Sequence, residues 1–297
     1  MTERGAPQRL LNQQTLVKRL TKLLLYPEPW HILVLRKLFG RLRLGSFHFR
    51  QALGILSYPG YAYCMYQSAR LAKALGHDEI SAIELGVAGG NGLVAMERHA
   101  AEITAALGVR FKLYGFDAAG GLPPPQDYRD LPYHWREGFF LGDRKRLMER
   151  LSSSKVFWGP IRDTLAQFFD DNPAPIGTIF FDLDFYSSTR DAFAIFDFDR
   201  RFTLPRVFCY LDDIFDNDSD LDDSLDLELI NDWTGVRLAV NEFNEHNDRR
   251  KLARRYQLPG RYVRAPWLLN VHIYHDFDHP EYCKWVSSGS HQLPLSE

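Results

Sequence analysis

The chain has 297 residues, of which 45% are hydrophobic and 25% are charged, an ordinary composition for a globular protein with a sizeable core. No run of 18 apolar residues occurs, so we expect no transmembrane segment, and the first residues lack the layout of a signal peptide. Three widely spaced cysteines without a CxxC pair argue against a disulfide framework or a zinc site, and a reducing cytoplasm is the simplest setting. A net charge of −2 and no nucleic-acid-binding motif argue against a nucleic-acid partner.

The charge is unevenly distributed along the chain. Residues 1–50 hold ten Lys or Arg and two acids, and residues 13–45 have an amphipathic helical pattern. We therefore predict an N-terminal helical extension over residues 1–55, followed by one domain over 56–297. A solvated helix face is the simplest interpretation of the basic segment. The alternatives are a membrane surface, an acidic substrate or contact with a second copy of the chain, which would make a homo-oligomer.

Beyond this segment, the hydrophobic pattern alternates between two periods. Apolar residues at spacings of three and four predict helices at 61–75 and 93–107, each ended by a glycine, and shorter runs predict strands at 81–86 and 109–117. The later predicted strands are 155–158, 176–181 and 207–211, with closing strands at 262–263 and 267–274. The later predicted helices are 163–169, one that starts at a capping box formed by Ser188 and Asp191, and one around 236–243. Strand–helix alternation of this length predicts an α/β protein with a mostly parallel sheet.

A glycine-rich turn follows the first predicted strand, within residues 83–92. Gly86 and Gly90 permit a tight turn and close approach of a ligand, and the helix that follows offers free N–H groups. Glu84 precedes the first glycine at a place where a carboxylate would repel a pyrophosphate, so a cationic ligand such as S-adenosylmethionine fits better than NAD. Asp117, at the end of the next strand, suits two ribose hydroxyls. The alternative is a turn without a ligand.

Four aspartates follow two buried strands, Asp182 and Asp184 after one and Asp212 and Asp213 after the next. Residues i and i+2 of a strand share a face, so we expect Asp182 and Asp184 to point the same way. If the strands pair, their ends lie roughly 5 Å apart, and repulsion among the carboxylates calls for protons or a cation. Oxygen ligands favour Mg²⁺, Mn²⁺ or Ca²⁺. The alternative is a set of solvated acids or helix caps.

With both motifs in place, residues 80–245 resemble class I S-adenosylmethionine-dependent methyltransferases. The resemblance is strongest to the metal-dependent macrocin O-methyltransferase (TylF) type, which methylates sugar hydroxyls on antibiotics. The segments that carry it are Glu84-Leu85-Gly86, Gly115-Phe116-Asp117, Gly121-Leu122-Pro123, Asp163-Thr164-Leu165, Asp182-Leu183-Asp184-Phe185-Tyr186-Ser187-Ser188-Thr189 and Asp212-Asp213.

The resemblance implies a doubly wound, Rossmann-like methyltransferase fold. Its sheet has seven strands in the order 3-2-1-4-5-7-6, with strand 7 antiparallel. In such proteins the acid that matches Asp117 holds the ribose, and Asp163 lies where the family places groups near the adenine. The chain departs from the family at position 183, where it has Leu and the family often has a small residue. It also has an unusually acidic stretch at 216–228, which we interpret as a lid or a solvated loop.

The resemblance also implies roles for the four aspartates. Asp182, Asp212 and Asp213 match the Mg²⁺ ligands, and Asp184 matches the proposed base. The sequence therefore predicts an S-adenosylmethionine-dependent, Mg²⁺-dependent O-methyltransferase that acts on a hydroxyl of a sugar or natural-product-like small molecule. The alternative is a non-catalytic S-adenosylmethionine-binding module that docks a partner through its basic N-terminal helices.

Overall fold

A computed structural model of the protein describes residues 34, 37–40, 42, 44–215, 230–257 and 266–287. Most of the predicted helical segment at 13–45, the acidic stretch at 216–228 and the predicted strand at 262–263 lie outside the described residues. By its internal contacts the chain divides into two units, Met1–Leu56 with Asp218–Asp226, and Ser57–Asn217 with Leu227–Glu297. In the first unit, helix α1 spans Phe47–Ala52, and the side chain of Ser46 caps it by accepting the N–H of Phe49. The domain boundary at residue 55 stays a prediction.

The second unit is built on a seven-stranded sheet in the order β3-β2-β1-β4-β5-β7-β6. The strands are β1 Glu79–Leu85, β2 Arg110–Asp117, β3 Ser154–Trp158, β4 Ile176–Phe181, β5 Thr203–Leu211, β6 Arg250–Arg254 and β7 Val271–Asp276. Strands β1 to β5 pair in parallel, and β7 runs antiparallel to both of its neighbours. The structure thus confirms the doubly wound, mostly parallel sheet and the strand order that the resemblance implies.

In the described part of this unit, six α-helices connect these strands or precede them. They are α2 Pro59–Leu75, α3 Asn91–Leu107, α4 Arg144–Arg150, α5 Ile161–Asp170, α6 Tyr186–Ala192 and α7 Gly235–His246. The predicted ends of α2 and α3 are confirmed, because Gly76 and Gly108 follow them in the left-handed conformation with φ of 94° and 79°. Within the part of the chain that the structure describes, no helix combines the length and the apolar character needed to cross a membrane.

Helices cover both faces of the sheet. On one face, Ile179 and Phe181 of β4 belong to a buried cluster to which α5, α6 and α7 contribute. On the other face, the ring of Phe180 stacks on Tyr61 of α2, with centroids 3.8 Å apart. Alternate residues of a strand point to opposite faces, so burial on both sides explains why all six residues of β4 are buried.

Three local predictions need correction. Ser188 does not cap a helix, because α6 begins at Tyr186 and contains it, and Asp191 instead forms ion pairs with Arg162 and Arg190. The predicted strand at 267–274 begins only at Val271, after a short 3₁₀ turn. Strand β6 was not predicted, because of its five residues only Leu252 is fully buried and the others are basic or small.

Candidate functional site

The glycine-rich turn after β1 is shaped by close backbone contact between β1 and β4. Gly86 has a φ of 88°, and a Cβ atom at this position would lie 1.8 Å from the carbonyl oxygen of Asp182. Only glycine therefore fits here, both for the left-handed backbone and for the space available. Ala88 in the same turn has a φ of 41°, a conformation that costs energy for a residue with a Cβ atom. This packing brings the turn next to Asp182.

Asp117 holds this turn from the end of β2. Its Oδ2 accepts the backbone N–H groups of Val87 and Ala88 at 3.1 and 2.8 Å, and its Oδ1 accepts the N–H of Ala119 at 2.6 Å. An ionised carboxylate has about four acceptor positions, so one position is left on Oδ1. Two ribose hydroxyls would therefore have to share or replace these backbone bonds. The structure places Asp117 at the turn, and its contact with a ribose stays a prediction.

Glu84 lies behind the turn and not in front of it. Its carboxyl group is 2% exposed and accepts a hydrogen bond from Oη of Tyr61 at 3.1 Å, and Gly92 packs directly against it. Burial raises the pKa of Glu84 to about 8, although hydrogen bonds from Tyr61 and from the backbone of Leu93 partly offset this effect. Glu84 does not line the cavity described below and contacts Tyr61 of α2, and its role as a negative partner for a cationic ligand stays a prediction.

The four aspartates lie close together at one corner of the sheet. The sequence argument that placed Asp182 and Asp184 on the same face of a strand does not explain this. Strand β4 ends at Phe181, so Asp182 and Asp184 follow it rather than belong to it. Asp184 has a φ of 57°, which turns the chain and removes the expected i, i+2 relation. Asp212 and Asp213 lie in a short 3₁₀ turn after β5, and the backbone N–H of Asp184 donates to Oδ2 of Asp213 at 3.1 Å.

The electrostatics of this acidic corner favour protons or a cation. The pKa of Asp182 is raised well above its ordinary value, first by burial and then by the charges of Asp212, Asp213 and Asp184. Burial and the charge of Asp212 raise the pKa of Asp184 to about 7. Burial also raises the pKa of Asp212, with a partly opposing hydrogen bond from Tyr210. Ionisation of all four carboxyl groups at once would therefore cost free energy, because the carboxylates repel one another.

One cavity of about 590 Å³ joins the turn to the acidic corner. It lies at the carboxyl ends of the parallel strands, where open α/β sheets bind ligands. Of the predicted site residues, six line it: Gly86, Asp117, Asp182, Asp184, Asp212 and Asp213. Within the described ranges, no group of three or more His, Cys, Asp or Glu side chains is clustered tightly enough to hold a metal ion as the side chains stand.

Two further predicted residues do not line this cavity. Gly90 is the N-cap of α3, and a Cβ atom there would lie 2.0 Å from Cδ1 of Leu147, so its tight packing faces α4. Asp163 is exposed in the first turn of α5, where a negative charge is favourable for the helix. The cavity is lined instead by the four residues just before Asp163, which are Gly159, Pro160, Ile161 and Arg162. Asp163 itself lies outside the cavity, and its place near an adenine stays a prediction.

The connection between β2 and β3 contributes residues that the sequence did not single out for the site. Trp135 and Phe140 line the cavity, and their rings pack edge to face with centroids 5.6 Å apart. Phe140 is 53% exposed and has a φ of 60°, an unusual conformation for a bulky residue. Strained and exposed aromatic residues at a cavity are typical of binding positions. The only sequence signal was the density of aromatic residues between 128 and 140.

Comparison with known proteins gives solved structures alone. No protein-family model matches the chain, and no curated protein sequence matches it. Calicheamicin methyltransferase CalS11 is 21% identical over 91% of this chain and 93% of its own, with a TM-score of 0.48. S-adenosylhomocysteine-bound methyltransferase PaMTH1 of Podospora anserina is 13% identical over 94% and 100%, with a TM-score of 0.42. MycE of the mycinamycin pathway, in complex with Mg, S-adenosylhomocysteine and mycinamycin VI, is 15% identical over 74% and 51%, with a TM-score of 0.38.

Together, the fold and the cavity define a doubly wound α/β protein with a cavity at its topological switch point. All three identities are below 25%, so the function has to be judged from the chain's own residues.

Proposed function

We propose that the chain is an S-adenosylmethionine-dependent O-methyltransferase that acts on a hydroxyl group of a sugar or natural-product-like small molecule, as the TylF type does. The observation that carries this proposal is the single cavity. At one end lies a glycine turn held by Asp117, and at the other end lies a group of four buried or half-buried carboxyl groups. A turn able to bind a nucleoside and a corner able to accept a proton, both lining one cavity, are the two parts that such a transfer needs.

The cofactor end of the cavity fits a nucleoside. Phe116 and Ile161 give it apolar walls, and Gly86 leaves room for close backbone approach. Asp117 lines this end and keeps one acceptor position that a ribose hydroxyl could use. In this proposal Gly86 and Asp117 hold the cofactor, together with the segment 159–162. Glu84 and Gly90 support the turn from behind.

The acidic end fits a hard divalent cation by the chemistry of its donors. All four side chains offer oxygen, and the pKa of Asp182 shows that three neighbouring carboxylates already act on it. Asp182, Asp212 and Asp213 would hold Mg²⁺ after small side-chain movements. Bound S-adenosylmethionine supplies an electrophilic methyl group, and bound Mg²⁺ supplies positive charge that favours the ionised form of a nearby hydroxyl.

Asp184 is the proposed base. Its carboxyl group lines the cavity, is 9% exposed, and has a pKa raised to about 7 by burial and by Asp212. A carboxylate with a pKa near the working pH is able to take a proton from a hydroxyl in the transition state. In this role Asp184 would take the proton of the acceptor hydroxyl, and S-adenosylmethionine, when bound, would supply the methyl group.

The first test is binding of S-adenosylhomocysteine to the full chain, measured by calorimetry. Asp117→Ala should weaken binding by about 10- to 100-fold, because the variant loses the turn contacts and a charged hydrogen bond. Asp163→Ala is the matched control, and we expect a change of less than about threefold because its side chain is exposed outside the cavity. NAD should not compete. Binding of NAD without binding of S-adenosylhomocysteine would overturn the proposal.

The second test is methyl transfer. Methyl-labelled S-adenosylmethionine is incubated with a panel of free and glycosylated hydroxyl compounds, with Mg²⁺ or with EDTA. Label in an O-methyl product that depends on Mg²⁺ supports the proposal. Transfer at full rate in EDTA would remove the cation from it, and transfer only to nitrogen or carbon would remove the hydroxyl acceptor.

A further inference from the structure

Asp130 is a fully buried carboxylate in the connection between β2 and β3, with 0% of its surface exposed. Its Oδ1 accepts the backbone N–H of Ser187 at 2.8 Å, and its Oδ2 accepts Oγ–H of the same serine at 2.8 Å. Oδ2 also accepts the N–H of Gln126 at 2.8 Å. These bonds join two segments that lie 57 residues apart in sequence, so Asp130 fastens the connection to the start of α6.

Helix α6 depends on this contact because it has no cap of its own. Its N-cap residue is Phe185, whose side chain makes no capping hydrogen bond. Ser187 is the second residue of the helix, so its N–H has no partner within the helix. Asp130 supplies the missing acceptor and adds a negative charge at the positive end of the helix. Asp130, although distant in sequence, thus caps α6 in place of the Ser or Asp that usually precedes a helix.

The start of α6 determines where Asp184 lies. Asp184 precedes the helix by two residues and has a φ of 57°, which is costly outside glycine and persists only where the surroundings enforce it. On one side its chain is fixed by the end of β4, since the N–H of Asp182 donates to the carbonyl of Leu85 at 2.9 Å. On the other side it is fixed by α6, which Asp130 holds.

A second attachment lies beside the first. Nη1 of Arg129 donates to Oη of Tyr186 at 3.0 Å, and its guanidinium group lies 4.3 Å from the centre of the same ring. The hydroxyl of Tyr186 in turn donates to Glu242 of α7 at 2.6 Å. Arg129 and Asp130, adjacent in the connection, therefore bond to Tyr186 and Ser187, adjacent at the start of α6. These two attachments fix the first turn of the helix.

We infer that Asp130 is a positioning residue that sets the backbone of Asp184 and, through it, the geometry of the acidic corner. This inference rests on the proposed function for the role of Asp184, although the hydrogen bonds stand without it. Asp130 does not line the cavity, so it has no direct contact with a ligand there. Because its partner Ser187 stands at the start of α6, its removal should disturb the acidic end more than the cofactor end.

The test compares Asp130→Ala and Asp130→Asn in the full chain. Amide hydrogen exchange is measured at Asp184 and Ser187. The affinities for S-adenosylhomocysteine and for Mn²⁺ in its presence are measured by calorimetry. Asp130→Ala should speed exchange at both amides by about 10- to 100-fold and weaken Mn²⁺ binding by about tenfold or more, with cofactor affinity unchanged within about twofold. Asp130→Asn keeps one acceptor oxygen for the N–H of Ser187 but turns its amide nitrogen towards the N–H of Gln126, so it should recover part of both effects.

The matched control is Asp276→Ala. Asp276 is another buried carboxylate, 2% exposed, which holds Arg200 and the N–H of Asp278 at the opposite edge of the sheet. This control should lower the free energy of unfolding without changing exchange at Ser187 or the Mn²⁺ affinity. Equal effects of Asp276→Ala and Asp130→Ala would overturn the inference, because they would reflect general destabilisation.

The remaining outcomes separate this inference from the proposed function. Faster exchange at Ser187 with unchanged exchange at Asp184 and unchanged Mn²⁺ affinity would overturn positioning and leave a purely structural role. If the wild-type complex binds no Mn²⁺, the metal part of the proposed function fails, and exchange at Asp184 alone decides the inference. Unchanged exchange there in Asp130→Ala would overturn it, and faster exchange would support it.

Discussion

Replacement of Asp184 by Asn should stabilise the protein above neutral pH. The carboxyl group of Asp184 is 9% exposed, and burial and the charge of Asp212 raise its pKa from 3.8 to about 7. A carboxyl group whose pKa is higher in the folded state than in the unfolded state binds its proton more tightly when folded. Its favourable contribution is therefore complete below about pH 4 and is lost as the pH rises towards 7. Above that range, the ionised group opposes folding.

The size of this effect follows from the pKa shift. A rise from 3.8 to about 7 is about 3 units, and at about 1.4 kcal/mol per unit it corresponds to about 4 kcal/mol. Because the shift depends partly on Asp212, which itself titrates, we expect a gain of about 1 to 3 kcal/mol for Asp184→Asn at pH 8. Asn also tolerates the left-handed backbone at this position, so the substitution adds no new strain.

Urea unfolding at pH 4 and pH 8 in EDTA measures this gain. The variant should be more stable than the wild type at pH 8 and close to it at pH 4. Mg²⁺ at pH 8 should raise the stability of both proteins by the same amount, since Asp182, Asp212 and Asp213 would hold the cation in both and its affinity should be unchanged. The control is Asp248→Asn, at an exposed turn after α7, which should change little at either pH. A variant that is no more stable than the wild type at pH 8 would refute the reasoning.

Three further predictions test separate parts of the molecule. Gly86→Ala should lower the free energy of unfolding by more than about 2 kcal/mol in urea unfolding, because its Cβ atom would overlap the carbonyl of Asp182 at a φ of 88°. Asp182→Ala should raise the Mg²⁺ concentration needed for methyl transfer or abolish it, whereas Asp184→Asn should keep Mg²⁺ affinity in calorimetry and lower single-turnover transfer by about 10²- to 10⁴-fold. Deletion of residues 1–45, which carry an amphipathic pattern, should change the oligomeric state in light scattering or lower acceptor affinity, and the proposal of such a role fails if neither changes.

Much of the fold could be predicted because strong local signals agree with the tertiary structure. The end of α2 is set by Gly76, and the bounds of β4 were predicted residue for residue from its apolar run. Strand β6 could not be found in this way. It lies at the edge of the sheet, where a strand needs little apolar surface, and only Leu252 reaches the core. Its pairing with β7 is a tertiary contact that no local pattern reports.

For the site, the sequence indicated where the residues lie but not how their side chains are oriented. Motifs at strand ends gave the correct edge of the sheet, because the carboxyl ends of parallel strands meet there. The motifs were not used to predict on which face of the sheet the Glu84 side chain lies. Glu84 precedes Leu85, which lines the cavity, so the alternation of β1 already predicts that the Glu84 side chain points to the opposite face. That signal was present in the sequence. The left-handed turn at Asp184 was not, since nothing in the sequence requires a non-glycine residue to adopt it.

Two helices that open beside the cavity take their caps from distant carboxyl groups. Helix α3 starts after Gly90, which has no side chain, and Glu84 lies beneath its first turn with a hydrogen bond from the Leu93 backbone. Helix α6 starts after Phe185 and uses Asp130. Neither carboxyl group lines the cavity. Because a cap that comes from behind satisfies the first turn without a side chain in front of it, the start of α6 stays open towards the cavity, which Ser187 and Ser188 line. A search for local capping residues misses both helices for this reason.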